Sequence, residues 1–235
     1  TAVAVAVAMA AAEQPPQTGI YAIIYAKDAA SAPKAVQCFR EHFGRQLDGR
    51  EPGAITCTLA PPNEEEPTAI RLFELWKTPD DYAAHVAGDN LKVNSENVGP
   101  YADMDRTVLI KSEKVEHFFQ PQYAGESRVG IAVDFKAKDE ESVQKVVDLS
   151  REHFRRQFDG REPGATSAAL IPPTPEEPTT IRYFEHWRAA GDYTAHMESE
   201  NLKLHLGNIT PLIFEETLRI IQFSGAEQFE RSDGK

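Results

Sequence analysis

The sequence predicts an α+β fold in which two ferredoxin-like βαββαβ repeats pack sheet to sheet. Three observations predict it. First, the chain is duplicated: residues Arg40 to Lys92 and Arg151 to Lys203 align without a gap at an offset of 111 residues, with 32 identities in 53 positions. A fixed period marks a repeated structural unit, and copies of about 100 residues suit two small domains better than a solenoid. Second, the hydrophobic pattern in each copy reads β-α-β-β-α-β, the order of an antiparallel four-stranded sheet with helices on one face. Third, such a sheet has one bare face, and a second identical sheet is the obvious cover, an intramolecular version of a symmetric dimer.

Each element follows from its residues. Gly19 to Lys27, rich in Ile, Tyr and Ala, reads as a strand, and Gly130 to Lys138 is its counterpart. Ser31 to Leu47 carries Val36, Phe39, Phe43 and Leu47 at helical spacing, with Ser31 to cap it and Pro33 in its first turn. Asp48-Gly49 and Pro52-Gly53 are turn signals. Ala54 to Ala60 alternates as a strand, Pro61 to Pro67 is a polar loop, and Thr68 to Trp76 is the next strand. Thr78-Pro79-Asp80 starts a helix that runs to about Ala87: a capping Thr, Pro at the first helical position, then acid in the first turn. Residues 90–98 add a turn or two, and Asp105 to Lys111 closes the unit as a strand. The repeats therefore span 19–119 and 130–230, with a linker at 120–129 and a tail at 231–235. Residues 1–18 stand outside the repeat. Their Ala/Val run reads as the remnant of an organellar or secretory targeting peptide or as an artificial edge, with Pro15-Pro16 in a linker.

Composition narrows the function. A net charge of −12 over 235 residues argues against nucleic acid and anionic membranes as partners, since both need a Lys/Arg surplus. No stretch is long enough to span a bilayer, and a soluble protein, cytoplasmic or organellar, is expected. Cys38 and Cys57 have no cysteine counterparts in the second copy and read as small core residues. No phosphate loop, nucleophile elbow or convergent metal set is legible, and no metal or other cofactor is expected.

Glu51-Pro52-Gly53 opening a strand, Phe73-Glu74-Leu75-Trp76 ending another, and Asp81-Tyr82-Ala83-Ala84-His85 on the following helix, all recurring in the second copy, resemble the antibiotic biosynthesis monooxygenase family. The resemblance covers both repeats. It implies a dimeric α/β barrel, here made by one chain, with a small-molecule pocket between sheet and helices in each unit. It also implies one of several activities: cofactor-independent quinone-forming oxygenation, heme degradation or signal-molecule processing. The chain departs from two of these patterns. Where quinone-forming members carry an Asn four residues before the Trp, this chain has Leu72 and Tyr183, and the Asn that heme-degrading members carry on the first strand is missing from both copies.

The candidate site residues come in pairs. Trp76 and Trp187 could line the pocket and stack on an aromatic substrate, or simply plug the core. Tyr82 and His85, like Tyr193 and His196, lie three apart on one helix face; they could bind and deprotonate a hydroxy-aromatic molecule, or the imidazole could bond a carbonyl at a domain edge. His42 and His153 flank the apolar stripe of the first helix and either reach the pocket from its opposite wall or stay on the surface. Glu74 and Glu185 share a strand face with the tryptophans and call for cationic partners, Arg45, Arg50 or Arg71 and their counterparts. The second copy is more polar, with Tyr183, His186 and His205 where the first has Leu72, Leu75 and Asn94. It is the better candidate active site. The catalytic set is then His196, Tyr193, His85 and Tyr82, and the substrate-lining set is Trp187, Trp76, Tyr183, His186, His153 and His42. Three functions compete: an oxygenase acting on an aromatic or polyketide-like molecule without cofactor, a non-catalytic holder of a small hydrophobic molecule such as heme, and a structural body whose partner is another protein.

Overall fold

A computed structural model describes residues 17–120 and 129–231. The targeting-peptide reading of residues 1–16 and most of the expected linker and tail lie outside the described residues. Repeat 1 contains β1 (Gln17–Ala26), α1 (Ala32–Arg45), β2 (Ala54–Ala60), β3 (Ala69–Trp76), α2 (Pro79–Val86), α3 (Asp89–Val98) and β4 (Ala102–Phe119). Repeat 2 contains β5 (Val129–Ala137), α4 (Glu140–Arg156), β6 (Ala165–Ile171), β7 (Thr180–Trp187), α5 (Ala190–Met197), α6 (Glu200–Ile209), β8 (Ile213–Ser224) and β9 (Glu227–Glu230). The βαββαβ order is as predicted. Two details differ. The residues after α2 form a full ten-residue helix, α3, and the fourth strand is 18 residues long.

That length closes the molecule. The first part of β4 pairs with β1 of its own sheet, and its end, Glu116 to Phe119, pairs with β6 of the other repeat. At the chain end, β8 pairs with β5, the chain turns at Gly225 (φ 74°), and β9 pairs with β2 of repeat 1. The strand order β8-β5-β7-β6-β4-β1-β3-β2-β9 thus begins and ends on consecutive strands, forming a barrel. Two reciprocal ion pairs clasp it. Arg40 on α1 binds Glu227 on β9 through bidentate contacts of 2.6–2.9 Å, and Arg151 on α4 binds Glu116 on β4 at 2.5 and 2.7 Å.

Strand alternation divides the interior into three layers. Ile70, Leu72 and Trp76 face the helices of repeat 1, packed with Phe39 and Phe43, and Ile181, Tyr183 and Trp187 do the same in repeat 2. Between the sheets lie Phe73, Leu75, Phe184 and Phe223, with the Phe73 and Phe184 rings stacked at 5.9 Å. The predicted sheet-to-sheet face is therefore a buried apolar layer centred on stacked phenylalanine rings. Gly53 and Gly164 of the Glu-Pro-Gly turns bring this frame close to the short helices α2 and α5: a Cβ on either would sit 2.2 Å from the Asp81 or Asp192 side chain.

Candidate functional site

Each repeat gathers a buried acid, imidazole and indole and a half-buried phenol between β3 and α2, or β7 and α5. Three elements build it in repeat 1. Strand alternation turns Glu74 and Trp76 toward the helices. Thr78 caps α2 by accepting the Asp81 N–H at 3.1 Å, and this sets the helix so that Tyr82 and His85 face the Trp76 indole, at 6.0 and 4.7 Å between centroids. Helix α1 supplies His42, whose ring is 5.3 Å from His85. The second copy repeats the geometry: Trp187 to Tyr193 at 6.0 Å, Trp187 to His196 at 4.6 Å, and His153 to His196 at 5.5 Å. His42 and His153 are buried, so the surface alternative for them does not hold.

The hydrogen bonds fix the proton positions. His85 Nδ1 is 2.8 Å from Glu51 Oε2, and Asn90 donates to the other oxygen of Glu51 at 3.0 Å. Burial alone would raise the Glu51 pKa, but the bonds from His85 and Asn90 hold it below the usual carboxylate value. An ionised carboxylate can only accept, so Nδ1 of His85 carries the proton and Nε2 points inward. There it meets Glu74 Oε2 at 4.0 Å. Burial opposes charge on His85, yet Glu51 and Glu74 together lift its pKa above the ordinary value. Glu74 is driven the other way: desolvation raises its pKa, and Gln46 donates to it at 3.0 Å. The Trp76 indole lies against this carboxylate without forming a full hydrogen bond. Burial, reinforced by His85, pushes His42 down to about 4, so it is neutral. In repeat 2, Glu162 takes His196 at 2.6 Å, Asn201 at 3.0 Å and Ser199 at 3.2 Å, and Glu185 takes Gln157 at 3.3 Å.

Several sequence expectations are corrected here. Glu74 and Glu185 face glutamine and histidine rather than arginine. Arg71 lies in the inter-sheet layer, where it pairs with Glu66 and stacks on Phe223 at 5.0 Å, and Arg45 bonds Asn90 instead. His186 does not join the helix-side cluster. One residue from Glu185 and Trp187 on the strand, it must face the other way, and it lies between the sheets bonded to Ser167 at 2.8 Å. The expected hollows beside the tryptophans are filled: Trp76 and Trp187 are each 1% exposed, packed by Phe43 and Phe154 among others. Two hollows in the described residues lie elsewhere, a cavity of about 10 Å³ beside His186 and an open cleft of about 720 Å³ lined by Pro33, Pro61, Pro62 and Arg40. The first has room for about one water.

Sequence reasoning gave no role to Glu51 and Glu162, Gln46 and Gln157, or Asn90 and Asn201. The available signal was that all six recur at the 111-residue offset. The expected polarity of repeat 2 holds on the helix side. Tyr183 bonds Ser150 and lies 3.5 Å from His205, whose ring stacks on His153 at 4.4 Å. Burial raises Tyr183 and lowers His205 to about 3. Among the described residues, one group of potential metal ligands converges, His42, Glu74 and His85, with ligand atoms all within 4.8 Å of one another. The spacing of these residues along the chain, across three elements, did not suggest it.

The closed two-repeat barrel is shared with solved structures. A candidate monooxygenase from Lactobacillus acidophilus NCFM superposes with a TM-score of 0.75 over 92% of this chain and 100% of its own, at 12% identity. One from Fusobacterium nucleatum subsp. nucleatum ATCC 25586 gives 0.78 over 94% and 98%, at 11% identity. An anthrone oxidase-like protein gives 0.59 over 94% and 95%, at 11% identity. No protein-family model matches the sequence, and no curated protein matches it. The chain therefore has the fold of these solved proteins, an α+β fold of two repeats in tandem. No helix among the described residues is long and apolar enough to cross a membrane.

Proposed function

We propose that the chain is an oxygenase that acts without a bound cofactor on a small hydroxy-aromatic or polyketide-like molecule, with repeat 2 as the better active site. The observation that carries this reading is the carboxylate–imidazole pair Glu162–His196, held at 2.6 Å against the Trp187 face in a buried setting. Glu162 fixes the Nδ1 proton and leaves Nε2 as the base. That base takes the proton of a phenol or enol. The substrate anion then passes one electron to O₂, the radical pair combines to a peroxide at carbon, and loss of water leaves a carbonyl: a CH₂ group and O₂ become C=O and H₂O. A dry site favours this step because it does not stabilise the anion by hydration. Tyr193, half-buried beside Trp187, orients the substrate oxygen.

Substrate enters by displacement of α5. This eight-residue helix buries one side chain fully, His196, which makes it a weakly anchored cover. The filled surroundings of both tryptophans favour a second reading, a structural or ligand-holding body. Oxygen uptake with anthrone-type substrates separates the two. The oxygenase reading expects turnover that falls at least 100-fold in His196→Ala and less in His85→Ala. Absence of uptake across such substrates, or equal effects of the two variants, refutes it.

A further inference from the structure

We propose that repeat 1 binds one divalent transition-metal ion between His42, Glu74 and His85. The three residues come from α1, β3 and α2, all are buried, and their ligand atoms lie within 4.8 Å of one another. His85 is prepared for the role. Its Nδ1 is taken by Glu51, which Asn90 orients, and this leaves Nε2 to ligate, the usual outer-shell arrangement of a metal-bound histidine. Glu74 is held by Gln46 in the same way, and His42 Nδ1 is buried without a hydrogen-bond partner. A cation would also answer the charge pattern, since Glu74 is buried beside imidazoles and an amide, with no cationic side chain among the described residues bonded to it. Ligand atoms about 2.1 Å from a tetrahedral ion sit roughly 3.4 Å apart. The 4.0 Å gap between His85 Nε2 and Glu74 Oε2 must therefore close by about half an ångström, a side-chain adjustment. Two imidazoles and one carboxylate select Zn(II), Co(II) or Fe(II) over Ca(II) and Mg(II).

Repeat 2 is an internal control. It has the same three residue types at His153, Glu185 and His196, but His205 stacks on His153, and no ligand group converges there among the described residues. The inference is independent of the oxygenase reading, which rests on repeat 2.

The test is Co(II) and Zn(II) titration of the full chain after chelator treatment, followed by calorimetry and by the Co(II) visible spectrum. The expected result is one ion per chain with a tetrahedral or five-coordinate Co(II) spectrum. His42→Gln and Glu74→Gln should weaken binding at least 10-fold, Glu51→Gln about 10- to 100-fold, and His153→Gln should leave the stoichiometry at one. Should the variants unfold, X-ray absorption of the Zn(II)-loaded native chain reads the ligands directly, with two imidazoles and one carboxylate expected. No uptake, two ions per chain, undiminished binding in the folded His42→Gln variant, or an oxygen-only ligand shell would each overturn the proposal.

Discussion

Replacing Glu162 by alanine tests how the buried acid–imidazole pair is held. Glu162 accepts three hydrogen bonds, from His196, Asn201 and Ser199, at 2.6, 3.0 and 3.2 Å, and its side chain is 7% exposed. Removing one member of a buried pair strands the other and costs about 3–5 kcal/mol. With a urea m-value of roughly 3 kcal/mol/M, the unfolding midpoint falls by about 1–1.7 M. The duplication supplies a matched comparison. Glu51 accepts from His85 and Asn90, and Gly88 stands where repeat 2 has Ser199, so Glu51→Ala loses one hydrogen bond fewer and costs about 1 kcal/mol less. Glu162→Gln is milder, because the amide can donate to Nδ1 once the ring moves its proton to Nε2. The second readout is the His196 titration followed by NMR. The bond to Glu162 is what lifts this imidazole against the cost of burial, so its pKa must fall in Glu162→Ala. A stability loss under about 1 kcal/mol, or a His196 pKa that stays or rises, would refute the assignment of Glu162 as its anchor.

Acid lability follows from the neutral histidines. Burial lowers His42 to about 4 and His186 to about 3, and His153 and His205 are lowered too. Each binds its proton more weakly folded than unfolded. The stability they confer is complete above pH 6.5 and is lost as pH falls toward 4, up to about 3 kcal/mol for His42 alone. His85 and His196, raised instead, act in the opposite direction but are outnumbered. Urea midpoints should therefore drop between pH 7 and 5, and a flat or rising profile would contradict the buried neutral rings. Gly164→Ala places a methyl 2.2 Å from the Asp192 side chain and should cost about 1–3 kcal/mol while pushing α5 outward, read by thermal denaturation and by faster amide exchange in α5. A double-mutant cycle on Arg151 and Glu116 should give about 0.5–1 kcal/mol of coupling that shrinks in salt, because the pair is partly exposed. Zero coupling would remove Arg151–Glu116 from the clasp and leave it to strand pairing, the Arg40–Glu227 pair and the inter-sheet packing.

The sequence by itself determined the duplication, the order of the elements, and which face each strand residue presents. These are local or periodic properties. A side-chain period of two puts Glu74 with Trp76, a Thr-Pro-Asp start fixes α2, and a three-residue spacing puts Tyr82 with His85. The same rule already placed His186 opposite Trp187, although its polarity suggested the pocket. Only the tertiary structure decided the rest. Glu51 reaches His85 across 34 residues, Gln46 reaches Glu74 across 28, and His42 meets both only when α1 lies over the sheet. The extension of β4 into the other repeat depends on a partner strand that no local pattern encodes. Whether an apolar face keeps a hollow or fills it depends on the summed volumes of Trp, Phe and Leu from five elements. Close packing settles that question, and periodicity carries no information about volume.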